Sequence, residues 1–215
     1  MLRNIVSNEL FTVLLVIGLI IIAVAKLTAP KRFDDFIMVL ANDKYLKIYS
    51  REQKFFDKFD ALLFTNLILS ISIFCFIIHK QANDNQILSA NTMLKLTAVI
   101  GAFILAKVLL ERLIGSLFEI DKLIDQYVFQ KISFKNYLGL LLLPINALLL
   151  YSFQPSLTII YGVVCFLLII NIIGLISSFK AHQSLIKSNL FYFILYLCAL
   201  EIAPYIILYK VFVSK

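Results

Sequence analysis

LFTVLLVIGLIIIAVAKL, residues 10–27, carries one charge, Lys26, in eighteen positions. Wound as an α-helix it would be about 27 Å long, close to the thickness of bilayer hydrocarbon. Similar runs recur along the chain, and the whole composition follows them. Of the 215 residues 61% are hydrophobic, 15% are charged, and the mean hydropathy is +0.94. A water-soluble domain of this size leaves much of its surface wet and cannot hide so much apolar area. The solvent implied for most of the chain is therefore lipid.

Six spans are expected: Leu10–Leu27, Ala61–His79, Leu96–Leu113, Tyr137–Phe153, Leu157–Phe179 and Leu190–Tyr209. Strands of a membrane barrel would alternate apolar and polar residues with period two. These runs are continuously apolar, and an isolated apolar run satisfies its own backbone in lipid only as a helix. The expected fold class is thus all-α: a polytopic membrane protein of about six transmembrane helices in a single domain, residues 1–215, with amphipathic helices at the cytoplasmic interface.

Lysine and arginine set the orientation. Counting Lys107 with the connection that follows it, alternate connections hold fifteen of the twenty, against five on the other side: Arg3, Lys80, Lys95, Lys210 and Lys215. The positive-inside rule then puts the basic connections in the cytoplasm and both termini in the periplasm. A rival reading takes residues 1–25, ending in Ala23-Val24-Ala25, as a cleaved signal peptide. Cleavage would turn the most basic connection outward, against the charge count. The net charge of +7 does not imply nucleic acid, because the basic residues lie in short stretches between apolar runs. Their expected partners are the bilayer and its anionic headgroups.

Two connections carry amphipathic patterns. Phe33, Phe36, Ile37 and Leu40 follow helical spacing after Pro30, which suits a first helical turn. Leu113, Leu117, Ile120 and Ile124 fall on one face in the next basic connection. Helices lying on lipid would explain both; a docking site for a protein partner would also do so.

Polar residues inside the spans are the candidate site. Glu201 lies deep in the last span, within YLCALEIAPYIILYK (residues 196–210), three residues before Pro204. A mid-membrane carboxyl is costly as an ion, and Pro204 strips the Leu200 carbonyl of its helical donor. The pair reads either as a proton-titrating or ligand-binding acid beside a hinge, or as a helix-locking hydrogen bond. Pro144 and Asn146 form a second such pair in LLLPINALLL (residues 141–150). His79 closes the second span. Lys107, Glu111 and Arg112 form a cluster at the cytoplasmic boundary, where long side chains snorkel. A polar track from Glu201 through Asn146 to Lys107, Asn171 and Asn66 is conceivable; interhelical asparagine bonds explain the same residues without it. Ala98, Ala102 and Ala106 make a small-residue stripe suited to close helix packing. Cys75, Cys165 and Cys198 form no C-x-x-C pair, so neither a disulfide framework nor a metal site is expected. No cofactor motif or soluble-enzyme signature appears.

The block FYFILYLCALEIAPYIILYK, with PKRFDDF and YLKIYSREQ after the first span, resembles a family of multi-span inner-membrane proteins of Bacteroidota known as a domain of unknown function. The resemblance implies location and topology and marks Glu201 and Pro204 as family features, without supplying a chemistry. Three roles are weighed: a non-enzymatic component or assembly factor of an envelope complex, a small proton-linked transporter or channel using Glu201, and a membrane enzyme acting on a lipid-linked substrate.

Overall fold

A computed structural model describes residues 9–40, 42, 44–50, 57–82, 90–117, 121–152 and 156–181. These residues form seven helices: α1 (Glu9–Thr28), α2 (Pro30–Ile37), α3 (Lys44–Tyr49), α4 (Lys58–Ala82), α5 (Ala90–Leu117), α6 (Asp121–Tyr151) and α7 (Leu157–Ala181). Five of them, α1, α4, α5, α6 and α7, are long and apolar enough to cross a membrane. The sixth expected span, with Glu201 and Pro204, lies outside the described residues, as do Cys198 and His182.

Local chemistry accounts for the helix starts. Pro30 opens α2, where its missing N–H costs nothing. The Asn42 side chain accepts from the Lys44 N–H at 3.0 Å at the head of α3, and Asp57 accepts from the Phe59 N–H at 3.1 Å at the head of α4. Each side chain satisfies one of the donors that a helix N-terminus leaves bare. Ser156 does the same before α7, accepting from the Ile159 N–H at 3.4 Å.

The central pair is α4 and α6. Helix α1 packs on α4, α5 packs on both members of the pair, and α7 packs on α6. The apolar core runs between them through Phe11, Leu15, Ile73, Phe76, Leu142 and Leu149. α1, α5 and α7 bury little of themselves: Leu19, Leu105 and Leu168 are all at least half exposed on their outer faces. Lipid covers such faces without penalty.

Three expectations change. The run Leu96–Leu113 is the middle of a longer helix, and Lys107, Glu111 and Arg112 do not interrupt it, because α6 supplies partners for Glu111 and Arg112. Of the face expected over Leu113–Ile124, residues 118–120 lie outside the described residues. Leu113 and Leu117 close α5 with exposed side chains, while Ile124 is buried at the start of α6. A Cβ added at Gly115 would stand 2.9 Å from that of Ile124, so the two helices meet there across the connection. Finally, the helix expected at Pro30 forms as α2, but Phe33 and Phe36 point into protein rather than lipid, and Ile37 and Leu40 stay exposed.

Candidate functional site

Two polar regions stand out. One lies at the basic end of the bundle, where α2 and α3 fold back against the first turn of α4 and the first half of α6. Phe33, Phe36, Tyr45, Phe59 and Phe129 form an aromatic cluster. Phe36 meets Tyr45, Phe59 and Tyr137 edge to face at centroid distances of 5.4, 6.0 and 6.0 Å. Such contacts contribute beyond the area they bury.

Arg32 ties this layer to α4. Its guanidinium bonds Asp57 and, at 2.8 Å, Asp60, while lying 4.8 Å from the ring centroids of both Tyr49 and Phe59. The planar fork engages two carboxylates and two aromatic faces, which an ammonium could not do. Burial alone would lower the Arg32 pKa, but Asp60, with Tyr45 and Asp57, more than offsets it, and the net shift is upward. Tyr45 donates to Asp60 Oδ1 at 3.4 Å. Burial, and then the charge of Asp60, push the Tyr45 pKa above the ordinary tyrosine value, against the pull of Arg32. The layer's outer side carries Lys31, Asp34, Lys47 and Lys58, all exposed.

A second ion pair joins α5 to α6 nearby. Glu111 is 1% exposed and bonds Lys131; Arg112 faces Asp125 at 3.7 Å. Glu111 and Arg112 of the cluster expected along α5 are thus tied across to α6.

The other region is a row of neutral polar side chains deeper in the bundle. Asn66, Ser70, Asn136 and Asn146 are buried on α4 and α6. Asn146 donates through Nδ2 to the Ser70 carbonyl at 2.8 Å. Asn66 is likewise fully buried on α4, with its Oδ1 near Gly18 of α1. Glu201, from which the polar track would start, lies outside the described residues. Asn171 is exposed on α7, and Lys107 is partly exposed on α5. His79 is exposed near the far end of α4. Pro144 sits on the outer side of α6, which remains one helix through it. Ala98, Ala102 and Ala106 are exposed, so the small-residue stripe is not what packs α5.

Sequence reasoning missed Arg32, Asp60 and Tyr45 as a unit, and Asn136 and Ser70 altogether. The spacing of Asp57 and Asp60 at the start of a span was the available signal for the first group. A serine or asparagine inside an otherwise apolar helix was the signal for the second.

The chain belongs to the family described as a domain of unknown function (DUF4271), which matches residues 11–212. No curated protein and no solved structure matches the sequence.

Proposed function

We propose that, as a member of this family, the protein is a non-enzymatic integral component of an inner-membrane complex of the bacterial envelope, with its basic end in the cytoplasm and both termini in the periplasm. The observation that carries this reading is the α2–α3 layer. Arg32, Asp57 and Asp60 hold it in place, and its aromatic side is consumed by the bundle. What remains outward is a pre-organised charged surface, with Lys31, Lys47 and Lys58 exposed. Pre-organised surfaces lose less entropy on association, and charges at the rim steer a partner more than they bind it. The sidedness rests on the positive-inside count, which also brings the same lysines to anionic headgroups.

Native purification in mild detergent tests the proposal. The expected result is a stoichiometric protein partner that is lost on the charge reversals Lys31→Glu and Lys47→Glu while the melting midpoint is unchanged. A solitary protein that remains fully active in cells with both reversals would overturn it.

A second reading is proton-linked transport through Glu201. The buried amides of Asn66, Asn136 and Asn146 favour it, because they place polar groups within the spans. Glu201→Gln should then abolish a pH-dependent flux in vesicles while leaving abundance unchanged; an unaltered flux would rule that role out.

A further inference from the structure

α6 comes closest to α4 at Gly139, where an added Cβ would lie 2.6 Å from the Leu67 Cα. Along the two helices on either side of that point stand four buried polar side chains. Asn66 precedes Leu67 on α4, and Ser70 follows one turn later. Asn136 lies one turn before Gly139 on α6, and Asn146 two turns after it. Exposure is 0% for Asn66, Ser70 and Asn146 and 1% for Asn136. α1 forms a third wall: a Cβ added at Gly18 would stand 3.4 Å from Asn66 Oδ1.

One hydrogen bond crosses the seam, from Asn146 Nδ2 to the Ser70 carbonyl. Six side-chain atoms there have no hydrogen-bonding partner among the described residues: Asn66 Nδ2 and Oδ1, Asn136 Nδ2 and Oδ1, Ser70 Oγ and Asn146 Oδ1. Buried polar atoms nearly always find a partner, and lipid cannot supply one. Leucine or alanine at all four positions would meet the same packing need at lower cost.

The chemistry of the six atoms narrows what completes them. Three amide oxygens and a hydroxyl would suit a cation, but two amide NH2 groups share the seam and would face it. None of the four side chains is ionised, so a charged guest would enter uncompensated. The geometry points to a binding site between α4 and α6 for an uncharged guest that both donates and accepts hydrogen bonds. Water is the smallest such guest, and a small neutral solute of the same chemistry is the other source. The site is independent of any partner at the basic end.

Hydroxyl-radical footprinting with X-ray-generated radicals, on the full-length protein in detergent, reads the site directly. Bound water is expected to oxidise Leu67 and Leu143, a buried α6 residue beside Gly18 of α1, severalfold more than Leu105, which sits on the outer face of α5. Asn66→Leu and Asn136→Leu should each suppress that labelling and lower the melting midpoint by about 3 °C or more. If Leu67 and Leu143 label no more than Leu105, but the two substitutions still lower the midpoint and a neutral solute is released on denaturation, the guest is that solute. Labelling no greater than Leu105, with midpoints unchanged or raised by the two substitutions, would overturn the proposal. The footprint of the unsubstituted protein remains decisive if a variant fails to fold.

Discussion

The basic end of the bundle and the α4–α6 seam solve the same problem in opposite ways. At the basic end the buried charges are paired: Arg32 with two aspartates, Glu111 with Lys131. In the seam the side chains are neutral amides and a hydroxyl, and six of their atoms have no hydrogen-bonding partner among the described residues. The difference follows from the cost of each group. A charge stranded away from water is far more expensive than a stranded amide, so a charge must be neutralised by a neighbour wherever it is buried. Close to the membrane boundary that neighbour can be a long side chain from another helix. In the seam, helix approach through Gly139 leaves space only for short polar groups.

This contrast can be broken hardest at Glu111. Lys131→Met would leave a carboxyl that is 1% exposed without its cation, and removing one member of a buried pair costs about 3–5 kcal/mol. The double variant Glu111→Gln, Lys131→Met should recover most of that loss, since neither side chain then carries a buried charge. Unfolding free energies of the single and double variants check it. Equal losses in both would mean that the side chains matter through packing rather than charge.

Arg32→Met probes the same end with a smaller expected loss, about 2 kcal/mol, because Asp57 and Asp60 keep part of their contact with water. Its second readout is local. Protease sensitivity of the α2–α3 segment should rise, while that of the segment joining α6 and α7 should not.

The seam is probed at Gly139, with Gly162 on α7 as the control. Gly139→Ala drives a Cβ against the Leu67 backbone, which cannot rotate away, and should cost about 1–3 kcal/mol. Gly162→Ala meets no atom within 4 Å and should be neutral or stabilising by up to about 1 kcal/mol, as alanine favours helix. Midpoints of thermal unfolding for the two variants should therefore move in opposite directions or differ clearly in size.

How much of this was legible in the sequence also differs between the two regions. Five long helices could be read because an apolar run in lipid has only one way to satisfy its backbone. Asn66 and Asn146 could be singled out because an amide in such a run is conspicuous. The bond from Asn146 to Ser70 across α4 and α6 could not be read, since helical spacing says which residues share a face and not which face a neighbour takes. Arg32 was hidden for a related reason. Its partners lie 25 and 28 residues away, beyond any local pattern, and its positive charge had already been explained by orientation. The amphipathic patterns in the connections were visible, but periodicity identifies an apolar face without saying whether lipid or protein covers it. Phe33 and Phe36 proved to face protein. Of the apolar face expected over Leu113–Ile124, Leu113 and Leu117 on α5 are exposed while Ile124 on α6 is buried.

Tyr45 offers the smallest effect and the most specific one. Its pKa in the folded protein lies above the ordinary value, because burial disfavours the phenolate and Asp60 repels it. Below about pH 10 the phenol is protonated whether the chain is folded or not, and its contribution is constant. Above that value the unfolded chain releases the proton while the folded chain retains it. The native state then binds more protons than the unfolded one, and stability falls as pH rises. Melting midpoints measured from about pH 8 to 11 should decline more steeply for the parent than for Tyr45→Phe. At pH 8 the phenylalanine variant should be slightly the less stable, having lost the 3.4 Å bond to Asp60, so the two curves should approach one another as the solution becomes alkaline. Parallel curves would mean that Tyr45 ionises as readily in the folded layer as outside it, and that Arg32 screens it from Asp60 more completely than the geometry of the layer implies.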